Sequence, residues 1–492
     1  MSPTSSEPSG SGASRAAARA PDRLAAHSRQ LRAEREQRRF RRLFWMLSAG
    51  LAVAAAVLLG VSSLQGPRLS SATVDTTRVT EQPAQQLRLF ANQPLADIDA
   101  AQVVVTPETP VSTTVDGALL VVQFEQRLHT DTEYTVEVRD VTAVGRGASS
   151  TIEHRFTTAP GELVYLDRGE TVDEVLRAPL AGAGRGEVVH AAEGIQHMAP
   201  VEGVLVLARD AAGGTSVLES VQTSSGVVQN LRLPDGVRVD ALIAPPVGTL
   251  LGVVFSSAPL EGEQQGVPEY ASTLGVVDLA GDGTVAVVPG LDGGQLAVDQ
   301  GWFLPDGTTM IVHGRDQTVQ RVELLTGLVL PIDQVPTAYG ISSDATRLTG
   351  ADAFGGIIVD LDSGEQSRLD PSPLEGEFAF GGEALLTAGE LRVQKIAIPD
   401  ASGGVFRSAL IADDGSGASR LLYRTPDDRG SLGELSLSPN DQYVAIEVTP
   451  SVEDAQNDGR VVNSRPTSIT LVIVDVASGV VVRTLEGFSP RW

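Results

Sequence analysis

Leu304-Pro305-Asp306-Gly307 leads into the apolar run Met310-Ile311-Val312, which is followed by Val322-Glu323-Leu324-Leu325-Thr326-Gly327. A Pro-Asp-Gly turn, a short apolar run, then an apolar run closed by an acid and a Gly turn describe consecutive strands joined by tight hairpins. The pair recurs. Ser342-Ser343-Asp344-Ala345 precedes Val359-Asp360-Leu361-Asp362-Ser363-Gly364, and Leu437-Ser438-Pro439-Asn440-Asp441 precedes Val474-Asp475-Val476-Ala477-Ser478-Gly479. Val276-Val277-Asp278-Leu279-Ala280-Gly281 repeats the second element alone. The two elements lie 17 residues apart from Asp306 to Glu323 and 16 apart from Asp344 to Asp360, but 35 apart from Asn440 to Asp475. The excess is the polar segment 451–467, read as a loop inserted between two strands. Successive acids stand 45 residues apart (278 to 323) and 37 apart (323 to 360), a period that fits four-stranded propeller blades. The spacing predicts a β-propeller of about six or seven blades over 161–492. The terminal Gly487-Phe488-Ser489-Pro490-Arg491-Trp492 resembles the opening of another blade, or reads as a closing strand that pairs with the first blade near Leu163-Val164-Tyr165-Leu166.

Upstream of the repeats, 75–160 holds short alternating runs separated by turn residues. These are Leu87–Phe90, Val103–Val105, Leu119–Val122, Tyr134–Val138 and Arg155–Thr158, which predict a small β-sandwich. Residues 65–74 read as a linker. Residues 43–64 carry no charge and, at 22 residues, have the length of a transmembrane helix. Arg38, Arg39, Arg41 and Arg42 stand directly before them, so the positive-inside rule predicts a cytoplasmic, basic, partly disordered tail over 1–42 and an extracytoplasmic bulk. A cleaved signal peptide fits less well, because its N-terminal region is shorter and Ser63-Leu64-Gln65 is a poor cleavage motif. The expectation is therefore an all-β chain with one N-terminal transmembrane helix, located in the cell membrane as a single-pass protein.

Composition narrows the function. The 492 residues carry a net charge of −25. Ten Arg against four acids give 1–42 a net of +6, leaving −31 for the remainder. A body that acidic repels phosphate backbones, which argues against nucleic acid as a partner. Cysteine is absent, which excludes disulfides, thiolate catalysis and Cys-ligated metals. The 51 Gly and 28 Pro against 4% aromatics suit many short strands and turns.

Two resemblances attach to these motifs. The stretch Leu89-Phe90-Ala91-Asn92-Gln93-Pro94, then Leu128-His129-Thr130-Asp131-Thr132-Glu133-Tyr134-Thr135-Val136, then Phe156-Thr157-Thr158 resembles bacterial Ig-like domains of cell-surface proteins, which implies a spacer or adhesion module. The turns around 300–365 and 435–480 resemble the WD-repeat-like propellers of the TolB type, and the resemblance is faint around 165–230 and 380–425. Such propellers mostly bind proteins.

The search for chemistry finds no catalytic, cofactor-binding or metal residue to assign. Among His27, His129, His154, His190, His197 and His313, none has zinc-hydrolase spacing, although His190 and His197 are close enough in sequence to be neighbours. Asp278/Asp282 and Asp360/Asp362 place carboxylates near turns, where calcium is conceivable, but Asp and Gly are also the residues such turns require. Glu375/Glu377 and Asp427/Asp428 are acid pairs of the kind glycoside hydrolysis uses, at a separation that sequence does not give. No G-x-S-x-G elbow and no P-loop occur. The reading is a non-enzymatic binding or scaffold protein, without cofactor, whose propeller engages a protein or cell-wall partner, with loop 451–467 as the surface candidate. The alternative is a lyase- or glycosidase-type enzyme with its site at the central channel. Charged or aromatic residues converging on the channel mouth would favour that alternative.

Overall fold

The computed structural model describes residues 41–55, 65–145, 147–258, 269–377, 379–399, 406–426 and 429–492. Seven four-stranded antiparallel sheets follow one another from residue 162 to the C-terminus. They are blade 1 (162–192), blade 2 (195–231), blade 3 (237–287), blade 4 (298–334), blade 5 (337–369), blade 6 (380–424) and blade 7 (431–486). Blade 1 takes its fourth, innermost strand from the C-terminus, Phe488–Arg491, with Phe488 opposite Leu166 and Arg491 opposite Val164. The C-terminal stretch is therefore a closing strand, and the described residues form seven blades. The blades with faint repeats, 1, 2 and 6, have the same four-stranded build as the rest.

Middle strands are buried on both faces because each blade is packed between two others. Thr309–Gly314 is buried at every position, and so is most of Tyr443–Thr449. Outer strands such as Val228–Leu231 and Val481–Glu486 are largely exposed. Apolar contacts run around the ring. Leu163, Tyr165 and Leu176 of blade 1 pack on Leu471 and Ile473 of blade 7. Leu166 and Val175 of blade 1 pack on Met198 and Leu205 of blade 2. Val206 of blade 2 meets Val253 and Phe255 of blade 3, and Val393 and Leu410 of blade 6 meet Val444 and Ile446 of blade 7.

Every innermost strand shifts register against its neighbour, at Ile195/His197, Val239/Ala241, Val298/Gln300, Ala338/Gly340, Gly381/Ala384, Leu432/Leu435 and Phe488/Arg491. A bulge bends a strand and re-aims its side chains, and strands that line a channel must bend. The turn feeding the closing strand requires glycine. Gly487 has φ +137°, and a Cβ there would stand 2.6 Å from the Leu166 carbonyl oxygen.

The repeat turns sit as expected. Asp306-Gly307, Asp344-Ala345 and Asn440-Asp441 join inner to second strands, with φ +68°, +57° and +61° at Gly307, Ala345 and Asp441. The carboxylates of the other turns cap them: Asp360 Oδ1 accepts from the Ser363 amide at 2.7 Å and Asp278 Oδ1 from the Ala280 amide at 3.0 Å. The Asp278 and Asp360 carboxylates thus act as turn formers.

Residues 69–157 form a four-stranded and a three-stranded sheet around one core, in which Leu87, Leu89, Leu120 and Phe124 meet Val105, Tyr134, Val136 and Ile152. All five expected strands are present. Two more polar ones, Leu69–Thr73 and Val111–Asp116, complete the larger sheet. The first of these occupies the stretch read as linker.

The membrane reading is corrected. Residues 41–55 are helical. The described helical residues rise about 22 Å at 1.5 Å per residue, against roughly 30 Å of hydrocarbon, and they include Arg41 and Arg42. Residues 56–64 and the tail 1–40 lie outside the described residues. Among the described residues no helix is long and apolar enough to cross a membrane. This overturns the transmembrane helix over 43–64 and the single-pass location in the cell membrane built on it.

Candidate functional site

The ring has two different ends. The hairpins that join inner to second and third to outer strands all lie at one end, and the sandwich docks there. Arg127 Nη1 donates to the carbonyls of Ser343 (3.2 Å) in blade 5 and Pro439 (3.1 Å) in blade 7. The Thr130 amide donates to Gln442 Oε1 at 2.7 Å, and Asn440 Nδ2 donates to the Leu128 carbonyl at 3.1 Å. Burial lowers the Arg127 pKa, and the Asp441 carboxylate opposes that shift. Burial raises the Asp441 carboxyl itself.

The opposite end carries the connections between second and third strands and from one blade to the next. Segment 451–467 is one of these, joining the second and third strands of blade 7. It is not a free loop, because Asp458, Arg460 and Asn463 strap blade 7 to blades 1 and 2. Arg168 Nη1 donates to Asp458 Oδ2 at 2.6 Å and to the Asn463 carbonyl at 2.8 Å. Arg460 Nη2 donates to both oxygens of the buried Asp173, at 3.0 and 3.1 Å. Asn463 Nδ2 donates to the Gln196 carbonyl at 2.8 Å.

Charged groups on the innermost strands meet the strap. Glu434 lies 3.5 Å from Arg491 and 3.4 Å from Arg465, and Arg465 also lies 3.3 Å from Glu447. On the inner strand of blade 3, Arg238 pairs with Asp240 two residues on, at 3.0 Å. In blade 6, Glu383 holds Lys395 at 2.6 Å, and Lys395 Nζ donates to the Gly433 carbonyl of blade 7 at 2.8 Å. The arginines Arg168 and Arg465 stack over the Phe488 ring, at 4.8 and 5.4 Å from its centroid.

Burial governs the protonation of this cluster. It raises the Glu447 carboxyl, partly opposed by Arg465; nearby Glu434 raises it further, and the Ser489 amide lowers it. It also raises the Asp173 carboxyl in spite of the Ile195 amide and Arg460. His197 is pushed down to about 3, first by burial and then by Arg491, Arg168, Arg465 and Arg238. Its imidazole is therefore neutral in the folded chain.

This neutral imidazole sets a pH dependence. The unfolded chain protonates His197 below its ordinary value of 6.5, whereas the folded chain does not. The folded pKa is depressed, so the associated stability is present above 6.5 and is lost as pH falls towards 3, at up to about 1.4 kcal/mol per pH unit. The raised carboxyls of Glu447 and Asp173 act oppositely, favouring the fold as pH falls. A His197→Gln variant separates the two effects. Its urea-unfolding free energy should fall less than that of the parent between pH 7 and 5, by up to about 2 kcal/mol.

Most residues singled out from sequence are not brought together. His190 lies on the outer strand of blade 1 and His197 on the innermost strand of blade 2. Glu377 pairs with Arg407 at 2.9 Å, and Glu375 lies in the same exposed turn. Asp427 and Asp428 lie outside the described residues. His313 Nε2 contacts the Val335 carbonyl within the core. Among the described residues no three His, Asp or Glu side chains stand together as a metal site would require. Sequence reasoning missed Arg168, Asp173, Arg238, Glu434, Glu447 and Arg491. The one available signal was charge placed within otherwise apolar strands.

No protein-family model matches this chain, and no curated protein matches it. Solved structures do. TolB from Acinetobacter baumannii is similar at 13% identity, over 80% of this chain and 85% of that one, with a TM-score of 0.34. The dihydro-heme d1 dehydrogenase NirN is similar at 14% identity, over 67% and 74%, with a TM-score of 0.38. An oligogalacturonate lyase is similar at 14% identity, over 61% and 75%, with a TM-score of 0.32. These likenesses are loose, and the ring is assigned from its strand order.

Proposed function

We propose that this chain is a binding protein that engages a protein or cell-wall partner through the strap end of its propeller. The observation that carries the reading is the asymmetry of the ring. The sandwich, read as an Ig-like spacer, occupies the hairpin end and leaves the strap end uncovered by it. Connections on a rigid scaffold are where recognition resides. Exposed apolar side chains also stand at this end, with Val461 of the strap 91% exposed and Phe354 85% exposed. The acids and arginines there are paired with each other, as in a structural network.

A second reading has one observation in its favour. Glu434 and Arg491 of innermost strands meet Arg465 of the strap, and Glu447, a carboxyl raised by burial, stands beside Glu434. Such a pair is the raw material of general acid–base chemistry. A channel enzyme of lyase or glycosidase type would use it.

The test is a pull-down from the source organism's envelope with the full chain, compared with a Val461→Asp, Phe354→Asp double variant. One protein or wall glycan recovered in near-equal amount by the parent, and lost by the variant, supports the binding reading. Equal recovery by both removes the strap end from the contact. Turnover of a wall glycan by the parent, abolished in Glu447→Gln, moves the assignment to the enzyme.

A further inference from the structure

Six buried side-chain nitrogen or oxygen atoms among the described residues have no hydrogen-bond partner, and three of them, Arg168 Nε, His197 Nε2 and Arg465 Nε, belong to the cluster beneath the strap. The two guanidiniums flank one ring, Phe488. Both are held in place by their other nitrogens, through Asp458, the Asn463 and Ile195 carbonyls, and Glu434. Arg465 Nε lies 3.3 Å from Glu447 Oε2 but is not aligned to donate to it.

A buried donor left unmade costs about 1–3 kcal/mol. Three polar atoms orphaned at one place are an arrangement that a missing acceptor would repair. His197 stands at the register shift Ile195/His197, and Arg491, Arg168, Arg465 and Arg238 are the charges that act on its imidazole. The acceptor has to be small, because strap and blades close over the cluster. It also has to present several oxygens, because the donors come from different elements. Guanidinium N–H groups match carboxylate and phosphate oxygens best.

We propose that Arg168 and Arg465, which lie over Phe488 beneath the strap, together with His197 bind a small oxyanion, a carboxylate or a phosphate, whose oxygens accept from Arg168 Nε, Arg465 Nε and His197 Nε2. Entry requires the strap to lift, which breaks the Arg460–Asp173 and Asn463–Gln196 contacts. This site is independent of the partner-binding reading above.

The test uses the full chain labelled with 15N-histidine. The imidazole nitrogens of its six histidines are followed during separate titrations with inorganic phosphate and with succinate. Sodium chloride of equal ionic strength is the control, and the His197→Gln spectrum identifies the His197 signal. The expected result is a saturable shift of that signal alone, in phosphate, in succinate or in both, and the two arms tell the sources apart. Arg465→Met should weaken the binding at least about tenfold. Should that variant not fold, Arg168→Lys, which keeps the charge and loses the planar fork, is read in its place. A His197 signal that stays still in both anions, or that moves equally in chloride, overturns the proposal and leaves ordered water as the occupant.

Discussion

Phe488→Ala should destabilise the propeller by about 4 kcal/mol, in the range for a fully buried Phe truncated to Ala. Phe488 is 2% exposed and packs with Leu166, Val175 and Met198 where blade 1 meets blade 2. Three losses coincide at this residue. Its ring fills the junction between two blades, it supports two guanidiniums, and it anchors the strand that closes the ring. The other blades take all four strands from one continuous stretch, so the same change in the inner strand of blade 4 would leave closure intact. Urea unfolding followed by tryptophan fluorescence measures the effect. The slope with denaturant should remain that of the parent if the ring still unfolds as one unit. A loss below about 1 kcal/mol would mean that the closing strand contributes little, contrary to its burial.

Asp173→Ala should cost about 3 kcal/mol, in the range for breaking a buried ion pair by removing one partner. Asp173 is fully buried and accepts from the Ile195 amide at 2.8 Å as well as from Arg460. Alanine orphans that amide and frees the strap from blade 1. Arg460 keeps some access to water and to Asp210, 3.6 Å away, which holds the loss below the upper end of the range. Asp173→Asn should recover part of it, because an amide oxygen still accepts from Ile195. Limited proteolysis gives a second reading, with cleavage within 451–467 expected to accelerate in Asp173→Ala. An unchanged cleavage rate would show that the strap is held by its other contacts.

These two residues mark what was legible. The repeat read from the sequence consists of hairpin turns, such as Asp306-Gly307 and Asp475 to Gly479, and every one of them lies at the end where the sandwich docks. Turns of this kind have local causes: a carboxylate caps its own backbone two or three residues on, and glycine accepts positive φ. The sandwich strands were legible for a similar reason, since alternation reports one buried face. Leu69–Thr73 and Val111–Asp116 escaped because they are polar strands at the edges of their sheet. Segment 451–467 was visible as an insertion but not as a strap, since nothing local in Asp458 or Arg460 says that their partners are Arg168 and Asp173, almost three hundred residues away.

The sequence by itself determined that this is an all-β chain of repeated four-stranded units, because period, turn chemistry and apolar alternation are properties of neighbours in the chain. Only the tertiary structure decided the closure by the C-terminal strand, the seven blades among the described residues, the docking of the sandwich on the hairpin end and the gathering of His197, Arg168, Arg465 and Glu447 beneath the strap. It also decided against a helix long enough to cross a membrane among the described residues. Closing the ring brings blades 7, 1 and 2 side by side, and charges that are remote along the chain become the burial and the field that set one another's protonation.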